Sequence, residues 1–206
     1  MKSGHPAYAV HPGIQRMVKW VDTLEAKTGR SVEEWVRLGR TKGPQDLDGL
    51  RLWFKTEHQL GTNSAWWLAD RAAGVTTGEE DTAAGYLRKA REYVDTMYQG
   101  GKAALRPLHD ALIALGRSMG KDVKVCPCST IIPLYRHHVF AQIKPSTRTR
   151  IDFGLALGET KGIGRLIETG GFAKKDRITH RIPITSMDDV DDEVKQWLKV
   201  AYDRDA

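Results

Sequence analysis

The sequence predicts an α+β fold, with a small N-terminal helical domain followed by a C-terminal antiparallel sheet packed with helices. Apolar residues recur at intervals of three and four through residues 13–72, as they do on one face of an amphipathic helix. From residue 123 onward they alternate with polar residues, which is the period of a half-buried strand. We therefore expect a helical domain at residues 1–74, a linker at 75–81 and an α+β domain at 82–206.

Four helices are predicted in the N-terminal domain. Residues 13–27 form the first helix, which Thr28-Gly29 ends. Ser31 and Glu34 have the spacing of a capping box, so a second helix begins there and continues to the Lys42-Gly43-Pro44 break. A third helix runs from about residue 47 to residue 58. Asn63 is the predicted N-cap of the fourth.

The C-terminal domain is predicted to begin with helices at residues 82–98 and 102–118, and Pro107 kinks or restarts the second of these. Strands follow at residues 123–127, 130–136, 138–144, 149–157 and 177–184. The glycine-rich stretch 158–171 is predicted to be an ordered loop or one short helix. Ser186 caps the final helix, and Asp188 and Asp189 lie in its first turn, where their charge is favourable.

Composition narrows the class of protein. The chain has 206 residues, 40% of them apolar, and a formal net charge of +6. Its N-terminus has no apolar h-region, so we expect no signal peptide. No apolar run approaches the roughly 20 residues that span a bilayer, so we expect no membrane partner. With only two cysteines a disulfide framework is excluded, and the expected location is the cytoplasm.

The basic excess is concentrated in one segment. Residues 122–185 contain 11 Lys and Arg against 5 Asp and Glu, whereas residues 186–206 contain 3 against 7. A basic patch attracts nucleic acid, phosphate-bearing metabolites or an acidic protein. The acidic final helix could instead neutralise this patch within the fold.

The C-terminal domain resembles a bacterial domain family of unknown function. The runs YQGGKAALRPLHDALIALGRSMGKDV, YRHHVFAQIKPSTRTRIDFGLAL and ITHRIPITSMDDVDDEVKQWLKVAY are similar to a family labelled a predicted transport protein, and distantly to the YdhG-like fold. The runs LEAKTGRSVEEWVRL and WFKTEHQLGTNSAWWLADRAAG resemble a second, short helical family that is often fused to the first. The resemblance implies the fold and the domain order, and it implies no activity, ligand or catalytic residue.

The stretch RHHVFAQIKPSTRTRIDFGLAL, residues 136–157, is predicted to form a hairpin with basic arms. If Val139, Ala141 and Ile143 face the core, alternation places a second set of residues together on the opposite side. That set is His138, Phe140, Gln142, Lys144, Arg150 and Asp152, with Arg148 in the turn. An exposed aromatic among cations suits single-stranded nucleic acid or a flat phosphorylated ligand. Alternatively, this is an ordinary half-exposed sheet, and a one-residue slip would bury Phe140.

A second hypothesis is that the protein is an enzyme or a small-molecule-binding protein. Its site would be a cleft between the sheet and residues 158–171. Its polar groups would be His180, Arg150, Asp152 and Lys102, with Arg181 exposed beside His180. His180 alternates with Ile178 and Ile182 on the apolar side of its strand, which is also typical of a hydrogen-bonded core histidine. No catalytic motif accompanies it, so no catalytic residue is predicted.

The remaining motifs indicate no metal and no cofactor. His137 and His138 are adjacent in a strand and therefore point to opposite faces. Cys126 and Cys128 have the spacing C-x-C rather than the redox C-x-x-C, and we interpret both as small apolar residues. A third hypothesis is a homodimer joined through sheet edges or the Trp-rich helices.

Overall fold

The computed structural model describes residues 8–76, 78 and 81–206. Within that part the chain forms two compact units, one of residues 10–86 and one of residues 8, 9 and 87–206. The predicted linker at residues 75–81 includes residues 77, 79 and 80, which lie outside the described residues. Its boundaries therefore stay a prediction.

The described residues contain seven α-helices and six strands. The helices are α1 (Pro12–Thr28), α2 (Val32–Lys42), α3 (Leu47–Thr56), α4 (Thr62–Ala72), α5 (Ala83–Met97), α6 (Arg106–Ser118) and α7 (Asp192–Asp203). The strands are β1 (Lys124–Val125), β2 (Ile132–Tyr135), β3 (Val139–Pro145), β4 (Ile151–Leu155), β5 (Ile167–Glu168) and β6 (His180–Ile184). Short 3-10 helices occupy Gly100–Leu105, Phe172–Lys174 and Met187–Asp189. None of the described helices has the length and apolar character needed to cross a membrane.

In the helical unit, α1 to α4 pack around one apolar core. Its buried members include Leu24, Trp35, Phe54 and Leu68. Gly39 lets α2 approach closely, because a Cβ there would lie 2.8 Å from the Phe54 ring. Leu24, Trp35, Phe54 and Leu68 come from α1, α2, α3 and α4 respectively, so the core draws on all four helices.

The predicted helix starts were right for α2 and wrong for α4. Ser31 and Glu34 exchange both hydrogen bonds of the capping box. The N-cap of α4 is Gly61 rather than Asn63. The Ala65 amide already donates to the Gly61 carbonyl at 2.9 Å, so the first helical turn closes before Asn63 could cap it.

The second unit carries an antiparallel sheet of order β1-β2-β3-β4-β6-β5, which confirms the α+β fold class. The pair β5 and β6 contradicts the prediction of a loop or helix over residues 158–171, because Ile167 and Glu168 add a short edge strand to β6. Pro107 lies in the first turn of α6, where its missing N–H costs nothing. It restarts the helix after the 3-10 segment.

Helices α6 and α7 cover one face of this sheet. Leu134 of β2 packs against Gly116 of α6, and Leu198 of α7 joins the same core as Phe153 of β4. Ser186 forms a capping box on a 3-10 turn, whereas Asp191 is the N-cap of α7. The prediction that Ser186 caps the final helix, with Asp188 and Asp189 in its first turn, is therefore wrong. These residues form a separate 3-10 turn, because Val190 leaves the helical conformation.

Candidate functional site

The β3–β4 hairpin brings together six of the predicted site residues. We call this set the hairpin surface: Lys102, Lys144, Arg148, Arg150, Asp152 and Arg181. Lys144 of β3 is paired in register with Asp152 of β4, and Arg181 of β6 lies one strand further along. Five of the six residues are cationic, so the surface is basic.

Asp152 is the shared carboxylate of the hairpin surface. Its Oδ1 lies 3.0 Å from Arg150 Nε and 3.0 Å from Arg181 Nη1. The Arg181 contact is a hydrogen bond, whereas Arg150 Nε is not aligned for one. One carboxylate thus balances two guanidinium groups, and the local charge stays positive.

The 3-10 helix Gly100–Leu105 supports the turn of the hairpin. Lys102 Nζ donates to the Pro145 carbonyl at 2.6 Å. The Arg148 side chain lies over Gly101, whose absent Cβ leaves room for it. Lys144 and Arg148 are exposed, and neither forms an ion pair among the residues that the structure describes.

Phe140 does not belong to this surface, which corrects the prediction of an exposed aromatic. It is 0% exposed, and its ring meets Tyr202 edge to face at 5.5 Å between centroids. The cause is an irregularity between β2 and β3: Leu134 pairs with Ala141, whereas Tyr135 pairs with Val139. Phe140 is the extra residue of this β-bulge, and the bulge turns it inward.

His180 is also buried, and both of its ring nitrogens are hydrogen-bonded. Its Nε2 lies 2.6 Å from the Thr160 carbonyl oxygen, to which it donates because a carbonyl only accepts. Its Nδ1 lies 2.8 Å from Thr179 Oγ1, and that hydroxyl accepts from the Leu157 amide at 3.1 Å. These contacts are typical of a hydrogen-bonded core histidine.

A cleft lies at the opposite end of β4 from the hairpin turn. We call it the end cleft, and its volume is about 700 Å³. Thr179 and Ala201 form its buried base, and the segment of residues 172–177 and Arg204 line its sides. A smaller pocket of about 270 Å³ with His180 in its wall adjoins it at Gly158 and Phe172.

A buried carboxylate, Asp205, holds one charged group of the end cleft, Arg177. Asp205 accepts from the His138 backbone amide at 2.7 Å, from His138 Nδ1 at 3.0 Å and from Arg177 Nη2. Burial raises the pKa of Asp205, but these hydrogen bonds and the Arg177 charge lower it further, and the net pKa lies below its ordinary value. Asp205 is therefore ionised at neutral pH and fixes Arg177.

Sequence reasoning missed the end cleft. Its Phe172 side chain is 51% exposed, and Lys175, Arg177 and Arg204 lie around it. The sequence signal for this cleft was the run FAKKDR at residues 172–177, in which an aromatic residue is followed by three cations within five residues. Arg204 could not be anticipated, because it reaches the cleft only through the packing of α7.

Cys126 and Cys128 form no disulfide in the described part of the chain. Burial raises the pKa of Cys126 to about 12, and burial also raises the pKa of Cys128. Neither forms an appreciable amount of thiolate at neutral pH, which is the nucleophilic form. The interpretation of both as small apolar residues agrees with these pKa shifts.

The helical unit has a cavity of its own, of about 690 Å³, beside the start of α4. Trp20 and Trp67 meet edge to face in its wall at 5.1 Å, and Arg16 lines it. Trp67 is stacked under Arg71 at 3.9 Å, whereas Trp66 is exposed. The two adjacent tryptophans therefore point in different directions.

The two units define a two-domain protein that pairs a helical bundle with an α+β domain. Residues 94–205 match the family model of a domain of unknown function, DUF5655, and residues 17–72 match that of another domain of unknown function, DUF4287. The first match covers more than half of the chain, so the protein belongs to the DUF5655 family. The predicted fusion of two families of unknown function is confirmed. No curated protein and no solved structure matches the chain.

Proposed function

We propose that this protein binds nucleic acid through the hairpin surface. The observation that supports the proposal is the pair Lys144 and Arg148, two exposed cations without an ion pair among the described residues. Arg150 and Arg181 lie beside them and share one carboxylate. Such a surface releases condensed counterions when it neutralises phosphates, and this release favours binding.

The proposed binding relies on phosphate contacts rather than base stacking. Phe140 lies in the core, so the hairpin surface lacks the aromatic that stacking would require. Single strands and duplexes should therefore bind with similar affinity, and affinity should fall steeply with salt. With about three or four phosphates neutralised, the slope of log K against log salt is expected near −3 on duplex DNA.

The test is fluorescence anisotropy with a labelled 20-base-pair DNA of mixed sequence between about 50 and 200 mM salt. The variants K144Q and R148Q should each weaken binding and each reduce the salt slope by about 1. The matched control is K195Q, since Lys195 is an exposed residue of α7 on the other side of the sheet. The proposal fails if no binding is seen at the lowest salt, or if all three variants behave alike.

Two further predictions belong to this proposal. We infer a cytoplasmic location, which is supported by the lack of a disulfide between Cys126 and Cys128 in the described part of the chain, because disulfides are rare there. That the protein forms a homodimer stays a prediction. Light scattering of the full chain measures its mass in solution and so tests this prediction directly. An increase in mass on adding DNA would distinguish assembly on nucleic acid from assembly of the free protein.

A further inference from the structure

The end cleft is a separate site at the other end of the sheet from the hairpin surface. Ala156, which lines it, lies about 13 Å along β4 from Asp152 at roughly 3.3 Å per residue. Its volume of about 700 Å³ falls within the range of small-ligand pockets. The inference below does not depend on the nucleic-acid proposal.

Three cations and one carboxylate set the charge of the end cleft: Lys175, Arg177, Arg204 and Asp176. Their formal sum is +2, and it falls to +1 when the buried Asp205 carboxylate paired with Arg177 is included. The cleft therefore stays cationic and attracts the charge of about −1.5 to −2 that a phosphate monoester carries at neutral pH. The carboxylate of Asp176 is an acceptor that suits the hydroxyl or amino groups of the same ligand.

Both arginines are fixed in place and keep donors available. Arg177 donates through Nε to the Val139 carbonyl at 3.2 Å and through Nη2 to Asp205. Arg204 donates through Nη1 to the Leu157 carbonyl and to Thr160 Oγ1. Among the described residues, Arg177 Nη1 and Arg204 Nη2 have no partner. Preorganised guanidinium groups with unused N–H donors are suited to phosphate.

Phe172 supplies a flat apolar face beside these cations. It is 51% exposed, although burying its ring would be favourable. The next turn places Lys175 at φ 60°, a left-handed conformation that is uncommon for a residue other than glycine. Backbone strain of this kind clusters at ligand sites, where it holds a side chain in a required direction.

We propose that the end cleft binds a phosphate monoester that carries a flat ring, such as a mononucleotide. The phosphate lies between Lys175, Arg177 and Arg204, and the ring stacks on Phe172. The same chemistry occurs in a free nucleotide and in the 5′-phosphorylated end of a strand.

Calorimetric titration of the full chain with adenosine 5′-monophosphate tests the site. Adenosine, which lacks the phosphate, and inorganic phosphate, which lacks the ring, should each bind at least about tenfold more weakly. F172A should weaken nucleotide binding about tenfold. K175N should weaken it too, because asparagine tolerates the left-handed backbone but carries no charge. The control K195Q, at an exposed residue of α7 that does not line the end cleft, should leave it unchanged.

A second titration distinguishes a free nucleotide from the end of a strand as the ligand. It uses a thymidine dinucleotide that carries either a 5′-phosphate or a 5′-hydroxyl. Tighter, Phe172-dependent binding of the phosphorylated form supports a strand end, and binding of the mononucleotide alone supports a free nucleotide. The proposal is overturned if the mononucleotide shows no saturable binding. It is also overturned if adenosine binds equally well, or if F172A and K195Q have the same effect.

Discussion

His138 donates two hydrogen bonds to Asp205, one from its backbone amide at 2.7 Å and one from its ring Nδ1 at 3.0 Å. The contact joins the penultimate residue of the chain to the start of β3, and Arg177 completes it from the segment that lines the end cleft. A carboxylate that is 4% exposed thus organises three separate parts of the fold.

We expect D205N to lower the free energy of unfolding by about 1–3 kcal/mol, because a buried charged acceptor loses its charge-assisted bonds. Urea denaturation at neutral pH measures this. The matched control is D203N, whose carboxylate pairs with Lys199 at the surface and contributes little. Because the pKa of Asp205 is lowered in the folded protein, the wild type loses this stabilisation as the pH falls below the ordinary pKa of a carboxyl group. The difference in free energy of unfolding between the wild type and D205N should therefore become smaller at low pH. Equal effects of the two variants would contradict the structural role of Asp205.

His109 should make folding sensitive to acid. It is 0% exposed, and neither ring nitrogen has a hydrogen-bond partner among the residues that the structure describes. Burial, with a smaller effect of the Arg106 charge, lowers its pKa to about 3. Asp110 is 3.9 Å away and half exposed, and within the described part of the chain the buried hydroxyls of Tyr8 and Tyr98 are also unpartnered. The described surroundings of His109 therefore do not stabilise its imidazolium form.

A histidine whose pKa is lowered by folding stabilises the protein fully when the pH is above its pKa in the unfolded chain, about 6.5. That stabilisation is lost as the pH falls below this value. At pH 4.5 the loss relative to pH 7.5 is about 3 kcal/mol. H109M, which keeps the volume, should be within about 1 kcal/mol of the wild type at pH 7.5. It should be clearly more stable at pH 4.5. Parallel pH profiles of the two proteins in urea denaturation would disprove this assignment.

His180 serves as a comparison for His109, because it is equally buried but both of its ring nitrogens are hydrogen-bonded. H180M should lower the free energy of unfolding at pH 7.5 by about 2–4 kcal/mol, because the Thr160 carbonyl and the Thr179 hydroxyl lose their partner. The measurement is the same denaturation series. If H180M proves as stable as H109M, the hydrogen-bonded chain through Thr179 does not stabilise the fold.

Phe140 and Phe172 form a second matched pair. F140A should cost about 3–5 kcal/mol, because it leaves a cavity against Tyr202 in the core. F172A should change the free energy of unfolding by less than about 0.5 kcal/mol, because the ring is half exposed. Thermal and urea unfolding of both variants check this. A large cost for F172A would mean that the ring stabilises the fold, and its binding test would then need a milder variant such as F172L.

The hairpin illustrates how far the sequence could be interpreted. Alternation in residues 149–157 correctly predicted that Phe153 and Leu155 face the core while Asp152 faces away. The same rule failed at Phe140, because a β-bulge depends on the pairing of β2 with β3 and leaves no local signal. The predicted placement of Lys144, Arg150 and Asp152 is not affected by this error, because these residues lie beyond the bulge.

The sequence by itself determined the two families, the order of helices and strands and the basic character of the sheet domain, because periodicity, caps and charge are local properties of the chain. Only the tertiary structure decided which groups meet. The end cleft needs Arg177 and Arg204, whose side chains are positioned by contacts to Asp205, Leu157 and Thr160. Such contacts join residues far apart in the chain, and packing rather than local pattern selects them.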